Sequence, residues 1–271
     1  MLIAVDNIVA RVLELDMAVE SFRRLGFTLI HAPSSDDGEA VAYAAFGEFH
    51  LEFRELADRS EIEGLHTLAL RSDDLDAEVA RLRSFGLPVT DPVDDPLTVS
   101  GNTLRRRSAE LDAFIPMRLV EHDHDANELH ALLGGPEPHR NTITTLERAY
   151  VAVESIDRQL QAFERAFGRP APRPEMGTVI MSLMSVFYLG DIGIAVAEPR
   201  CAGPTADALG ARGPGMFQVL FRAEHLDEAH RFMVDQGMPP PTRGTRLSGE
   251  SALLVGPEAA CGIYVAMAGD P

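Results

Sequence analysis

The stretch VDNIVARVLELDMAVESFRRLGF, Val5 to Phe27, decides the fold because its pattern returns three more times along the chain. It opens with an alternating, strand-like segment and continues as a three-turn helix that runs from Leu15 to Gly26. The matching helical segments are LDAEVARLRSFG from Leu75, IDRQLQAFERAFG from Ile156 and LDEAHRFMVDQG from Leu226. Each predicted helix has an aspartate that can accept hydrogen bonds from first-turn amides and a closing glycine suited to left-handed backbone.

A short alternating stretch precedes each helix and two or three more follow it, so the repeated unit is βαβββ. The Gly/Pro-rich segment LLGGPEPHRNTITT separates the second unit from the third. We therefore expect an α+β protein with a first domain at 1–125, a linker at 126–145 and a second domain at 146–271. Four tandem units would form two curved mixed sheets with helices outside and a concave cup inside. Each cup could form within one half or between the first and fourth units.

Composition excludes several partners. The chain has 271 residues, 45% of them hydrophobic, and a net charge of −18, so nucleic acid and anionic membranes would be repelled. No apolar run is long enough to span a bilayer. Two cysteines, Cys201 and Cys261, and no leader-like start predict a cytoplasmic protein. The expected partner is a small-molecule ligand, and the chain is expected to be a monomer with pseudo-dimeric halves or a homodimer.

The opening stretch, together with LEFRE, ALRSDDLDAEVARLRSFGLPV and GIAVAEP, resembles the vicinal oxygen chelate superfamily. That superfamily includes glyoxalase I, bleomycin-resistance proteins, extradiol dioxygenases and methylmalonyl-CoA epimerase. The overall layout is similar to a two-domain, glyoxalase-like subgroup. The resemblance implies a cup that usually holds a divalent metal, with His or Gln ligands on the leading strands and Glu on the trailing strands.

The positions that match the family's leading-strand ligands lie eight residues before each helix, and they are Asn7, Thr67, Arg148 and Gln218. On the trailing strands the matches are Glu52, Ala195 and Ala266, with Glu121 as a further candidate. His66 is one residue out of register and is predicted to face the helices, unless a bulge at Leu65–His66 reverses its direction. The second half is therefore expected to hold no metal. The first half either holds none or binds a divalent ion (Mg, Mn, Fe or Zn) through Glu52 and Glu121.

Strand alternation places a polar surface in the first cup. Its predicted members are Asn7, Arg11, His50, Glu52, Arg54, Thr67 and Arg71, joined by one or two of Arg105, Arg106 and Arg107. These arginines either pair internally or form a cationic pocket for a small acid. His122 lies in EHDHD, Glu121 to Asp125, a polar strand exit, and is a candidate for proton transfer. In the second half the candidate ligand-binding residues are Arg148, Tyr150 and Gln218.

Two functions of different classes follow. The first is a glyoxalase-like protein of bleomycin-resistance type, which binds a small anionic organic molecule in its cup without a metal. The alternative is a metal-dependent lyase, isomerase or ring-cleaving dioxygenase with its metal in the first half. A metal-independent acid/base enzyme that uses Glu52 and His122 lies between the two.

Overall fold

The computed structural model describes residues 1–32, 40–99, 102–124, 126–133 and 138–270. Its helices are α1 (Leu15–Arg24), α2 (Leu75–Ser84), α3 (Ala126–Leu132), α4 (Ile156–Phe167), α5 (Pro204–Arg212) and α6 (Leu226–Asp235), with a 3₁₀ turn at Pro257–Ala259. The strands up to residue 122 are β1 (Leu2–Val12), β2 (Ile30–Ala32), β3 (Val41–Phe46), β4 (Phe49–Glu55), β5 (Gly64–Ser72), β6 (Val93–Asp94), β7 (Leu97–Val99), β8 (Asn102–Leu104), β9 (Arg106–Asp112) and β10 (Pro116–His122). The later strands are β11 (Ile143–Ala152), β12 (Glu175–Gly177), β13 (Ser182–Leu189), β14 (Ile192–Pro199), β15 (Gly215–Ala223), β16 (Thr242–Thr245), β17 (Ser251–Val255) and β18 (Tyr264–Gly269).

The four repeated helices begin at the predicted residues. The glycines that follow them, Gly26, Gly86, Gly168 and Gly237, all have positive φ, which an L side chain rarely adopts. The expected role of the first-turn aspartates is wrong, because the first amide of three helices donates instead to a glutamate on the unit's trailing strand. These pairs are Leu15 N to Glu55 (3.2 Å), Leu75 N to Glu121 (3.3 Å) and Ile156 N to Glu198 (2.9 Å). The trailing strand thus fixes the helix position in each of these units.

Each sheet is completed within its own half of the chain. The first has the order β2-β3-β4-β1-β5-β10-β9-β6, and the second has the corresponding order β12-β13-β14-β11-β15-β18-β17-β16. In both, the leading strand of the first unit pairs in parallel with its trailing strand and antiparallel with the leading strand of the second unit. The α+β architecture of tandem units in two mixed sheets is therefore confirmed.

The helix-side faces of both sheets contribute to one continuous apolar core. Phe221 on β15 packs against Phe27 and Phe46 of the first half, with ring centroids 5.4 and 4.8 Å apart. Phe114 and Phe163 make a second contact between the halves at 3.8 Å. Because this core lies behind both sheets, the two concave faces point away from each other.

Additional elements cover the concave faces. In the first half, the β7–β8 hairpin and α3 pack on β3 through an apolar cluster: Val41, Tyr43, Leu97, Val99, Leu129 and Leu133. The segment expected to be a linker thus carries α3 over the first cup, while Asp125 and residues 134–137 of that stretch lie outside the described residues. In the second half, Ala208 of α5 joins the concave-face cluster. None of the helices in the described ranges has the length and hydropathy needed to cross a bilayer.

Candidate functional site

A β-bulge in each central leading strand sets the direction of the site residues. Val5 pairs with Leu70 and Asn7 with Ala69, so Asp6 is an extra residue on β1. The second half repeats this bulge at Glu147, between the pairs Leu146–Phe221 and Arg148–Leu220. Both members of each bulge, Asp6 with Asn7 and Glu147 with Arg148, make contacts on the concave side. Strict alternation could not predict the role of Asp6 or Glu147, since it places them on the opposite face.

A second bulge changes the position predicted for His66. Val9 pairs with Thr67 and Ala10 with Leu65, which leaves His66 as the extra residue on β5. Leu65, rather than His66, packs into the helix-side core. The half-buried His66 forms a hydrogen bond of 2.8 Å between its Nδ1 atom and Thr67 Oγ1. The prediction that His66 faces the helices is therefore wrong. The corresponding extra residue in the second half, Phe217, also packs on the concave side.

The centre of the first cup is a buried polar cluster. Glu52, which has no exposed surface, accepts a hydrogen bond from Asn7 Nδ2 at 3.3 Å and another from Arg54 Nε. Burial by itself raises the pKa of Glu52, but the charges of Arg54, Arg106 and His50 outweigh it and lower that pKa. His50 lies beside it, with Nε2 3.9 Å from Glu52 Oε2. Burial lowers the pKa of His50 to about 4, so this imidazole is neutral at pH 7.

His122 pairs with Asp6, which is fully buried, rather than with Glu52. The distance from His122 Nε2 to Asp6 Oδ1 is 2.6 Å, and the same oxygen accepts from Arg71 Nη2 at 3.1 Å. Burial raises the pKa of Asp6, but the hydrogen bond and charge of His122, with the charges of His50 and Arg71, hold it well below its usual range. Glu52 and His122 therefore contact different partners.

The arginines predicted to form a cationic first cup are paired with carboxylates. Arg11 lies 3.3 Å from Glu61, Arg71 lies 2.9 Å from Glu48 as well as near Asp6, and Arg54 pairs with Glu52. Of the RRR run, Arg106 is buried in the cup and lies 3.0 Å from Asp95, Arg107 pairs with Asp76 and Glu121 on the outer side, and Arg105 is exposed. Of the two alternatives for this cup, internal pairing is the arrangement present.

The matched ligand positions do not form the donor set of a divalent metal site. Glu121 caps α2 on the outer side, so its predicted place in the cup is wrong. The register shows that the residue corresponding to Glu52 is Arg118, since Ala69 pairs with Arg118 as Val9 pairs with Glu52. The first cup thus offers Asn7, Thr67, Glu52 and Arg118, and the second offers Arg148, Gln218, Ala195 and Ala266. One carboxylate, already bound by Arg54, is too few ligands. Within the described residues, no three His, Cys, Asp or Glu side chains are placed to hold a metal.

The second cup contains a cavity of about 170 Å³. Its walls come from the β11 and β15 residues Arg148, Tyr150, Gln218 and Leu220, and from both sheet edges. The edges approach each other: a methyl group added at Gly244 on β16 would lie 3.8 Å from Val179, which follows β12. The floor is apolar and consists of small side chains, including Ala252 and Ala266. The three residues predicted as ligand-binding in this half therefore line the same cavity.

Two polar atoms in this cavity wall have no partner in the part of the chain that the structure describes. Arg148 Nε and Gln218 Oε1 are both buried there without a hydrogen bond. The rest of the Arg148 guanidinium is held, with Nη2 3.2 Å from the hydroxyl of Tyr188 and 3.4 Å from Glu147 Oε1. Unpaired buried polar atoms cost free energy, and in native proteins they commonly mark sites that water or a ligand satisfies.

A charged network closes one side of the cavity. Glu147 accepts from Arg246 Nη1 at 2.9 Å and from Arg222 Nη1 at 3.1 Å, and Glu250 pairs with both arginines. Burial raises the pKa of Glu147, but Arg246, Arg148 and Arg222 together lower it. Arg246 also lines the cavity, so the cavity is bordered by two arginine side chains, those of Arg148 and Arg246.

No family model matches the sequence, and no curated protein does. Solved structures do match the fold. A triple mutant of 4-hydroxymandelate synthase from Streptomyces coelicolor matches with a TM-score of 0.71 and 17% identity, over 99% of this chain and 92% of that one. A hypothetical protein from Staphylococcus aureus matches with a TM-score of 0.67 and 10% identity over all of both chains.

A fusion of a xylose isomerase-like TIM barrel with 4-hydroxyphenylpyruvate dioxygenase matches with a TM-score of 0.65 and 12% identity, over 99% of this chain and 49% of that one. At such identities the likeness concerns the fold alone. The synthase and the dioxygenase fusion belong to the superfamily that the sequence motifs resemble. The tandem units, the two matched sheets and these neighbours together identify the chain's fold as that of the vicinal oxygen chelate superfamily.

Proposed function

We propose that the protein binds a small organic molecule with an anionic or hydrogen-bond-accepting group in the cavity of the second cup, without a metal ion. The observation that carries this proposal is the pair of unpartnered buried atoms, Arg148 Nε and Gln218 Oε1, in one wall of the cavity. An acceptor on the ligand would receive a hydrogen bond from the Nε–H group of Arg148. A donor on the ligand would donate a hydrogen bond to Gln218 Oε1. A primary amide offers both an acceptor and a donor on one carbon atom, whereas a carboxylate offers acceptors alone and would bond only Arg148.

Size and lining support a ligand with one small apolar body. The cavity volume of about 170 Å³ is close to the roughly 150 Å³ that accepts a benzene molecule in an apolar protein cavity. Tyr150, Leu220 and the alanine floor supply apolar contacts, and Arg246 adds positive charge. The absence of His, Asp or Glu at the four matched positions of this cup supports binding without a metal.

The test is a thermal-shift and calorimetric screen with benzoate, cyclohexanecarboxylate and benzamide as probes. Binding to the native state raises the melting temperature, so we expect a saturable shift for at least one probe. Arg148→Gln should weaken the binding of each probe about 10-fold or more, and Gln218→Leu should do the same for benzamide, because each substitution removes a buried hydrogen bond to that ligand. Arg11→Gln, in the first half and half-exposed, is the matched control.

Dialysis against EDTA should leave probe binding unchanged. Binding that depends on a divalent ion, or that survives both Arg148→Gln and Gln218→Leu, would overturn the proposal. So would a complete lack of binding across small acids and amides that fit the cavity.

A further inference from the structure

A second cavity, the rim cavity, lies at the end of the first sheet where β5 and β10 finish and β9 begins. Its volume is about 900 Å³, and its lining includes His122, His124, Asp73, Asp94 and Asp123. It borders the first cup, with which it shares Arg71, Arg106 and His122, and the proposed ligand site does not use it. Its two histidines stand two residues apart on the chain, and their ring centroids are 4.5 Å apart.

Hydrogen bonds fix the protonated nitrogen of each histidine. His122 Nε2 lies 2.6 Å from Asp6 Oδ1, and a carboxylate can only accept, so Nε2 carries the proton. His124 Nδ1 lies 3.1 Å from the Arg105 carbonyl oxygen, which again can only accept. In the neutral imidazoles the opposite atoms, His122 Nδ1 and His124 Nε2, therefore hold lone pairs.

Both of these nitrogens are buried, and neither has a hydrogen-bond partner among the described residues. The His122 side chain is only 6% exposed. Two neighbouring imidazole lone pairs, each backed by an oxygen acceptor on the other ring nitrogen, form the arrangement by which proteins orient histidine ligands toward a metal.

The charge around the pair is balanced. Four arginines line the rim cavity, Arg71, Arg105, Arg106 and Arg107, and so do four carboxylates, Asp73, Asp94, Glu121 and Asp123. Arg71, Arg106 and Arg107 each pair with a carboxylate, and the charged Asp6 lies directly behind His122. A divalent cation would therefore not meet an uncompensated positive field.

We propose that His122 Nδ1 and His124 Nε2 bind one imidazole-preferring divalent transition-metal ion, such as Zn²⁺, Ni²⁺ or Cu²⁺, at the rim cavity. Water completes the coordination, since no third protein ligand is placed for it among the described residues. Asp6 and the Arg105 carbonyl act as positioning groups that hold the two rings. A hard ion such as Mg²⁺ is disfavoured, because it prefers oxygen ligands.

The experiment uses the full chain after EDTA treatment and dialysis. Titration with Zn²⁺ or Ni²⁺, followed by calorimetry and thermal melts, should show one saturable site, while Mg²⁺ should give no shift. His122→Gln and His124→Gln should each weaken binding more than about 10-fold, and His225→Gln, an exposed histidine in the second half, should not. Asp6→Asn should weaken it by about 10- to 100-fold, as expected for an orienting carboxylate.

A readout independent of variant folding is the electron paramagnetic resonance spectrum of the wild-type protein with one equivalent of Cu²⁺. It should show two coordinated imidazole nitrogens. Failure of wild-type protein to bind any of the three ions saturably, binding that survives both histidine substitutions, or a copper spectrum without imidazole nitrogen would overturn the proposal. None of these results bears on the second cup, whose test uses organic probes.

Discussion

At the residue scale, the first cup is dominated by charged groups that satisfy one another. Asp6, His50 and Glu52 have no exposed surface, and they are held with Asn7, Arg71 and Arg106 in one buried cluster. Several of its atoms, among them both ring nitrogens of His50 and Asp6 Oδ2, have no hydrogen-bond partner. Such a cluster stabilises the fold only while its charge state is kept, so it links stability to pH.

We predict that acid weakens the protein between pH 6.5 and pH 4 through His50. The unfolded chain protonates this histidine near pH 6.5, whereas the folded chain does so only near pH 4, so stability is complete above pH 6.5 and falls as the pH drops. At pH 5 the loss from this group is roughly 2 kcal/mol. Urea unfolding at pH 7 and pH 5 should show a smaller difference for His50→Gln than for the wild type. An equal difference in the two proteins, with His225→Gln as control, would contradict the assignment.

The candidate site was only partly predictable from single residues. Offsets from the helices led to Arg148 and Gln218, and the side chains of both line the second-cup cavity with Tyr150. The pairing of Arg54 with Glu52, and of Arg71 with Asp6, depends on distances across strands that no local pattern encodes. The concave-side positions of Asp6 and Glu147 were not predicted, because each residue occupies a bulge. A bulge leaves no signature in the period-2 alternation of a strand sequence.

At the element scale, the trailing strands carry the caps of the helices. Glu55, Glu121 and Glu198 each bring a carboxylate to the first amide of the helix in their own unit. A negative group at a helix N-terminus satisfies an unpaired N–H and opposes the positive end of the helix dipole. The helices themselves were predictable from spacing and closing glycines, whereas these long-range caps were not. Their partners lie 40 to 46 residues away in the chain.

Removing one such cap should cost about 1 kcal/mol of unfolding free energy. We predict this for Glu121→Ala, which leaves the Leu75 amide without its acceptor and Arg107 with one carboxylate fewer. Glu20→Ala, an exposed position on α1, should cost less than about 0.5 kcal/mol. Chemical denaturation of the two variants distinguishes them. Equal stabilities would show that the Glu121 cap contributes nothing.

At the scale of the whole molecule, the two halves share their interior. Phe221 of the second sheet contacts Phe27 and Phe46 of the first, and Arg212 of α5 donates to the carbonyls of Glu63 (3.1 Å) and Leu65 (3.2 Å). The βαβββ pattern predicted the number of units and the curvature of the sheets. It left open which units pair, because a repeated unit fits its neighbour and its distant copy equally well.

We predict that Phe221→Ala destabilises both halves at once, by about 3 to 5 kcal/mol, since it opens a cavity at their junction. Hydrogen exchange followed by mass spectrometry should show faster exchange in β3 and β4 as well as in β15. Phe187→Ala is the control, because this buried ring packs against Phe163 and Phe167 of its own half. Faster exchange confined to the second half would show that the halves unfold separately.

The opposed cups also affect how such a chain can change over evolutionary time. The first copy is filled by its own side chains and roofed by α3 and the β7–β8 hairpin, whereas the second copy keeps an open chamber with a floor of small residues. Substitutions in that chamber contact neither the roof nor the polar cluster on the far side. The duplicated architecture thus gives the protein a first half that maintains the fold. In the second half, the residues of the cavity can be substituted, and the ligand specificity changed, without disturbing the first.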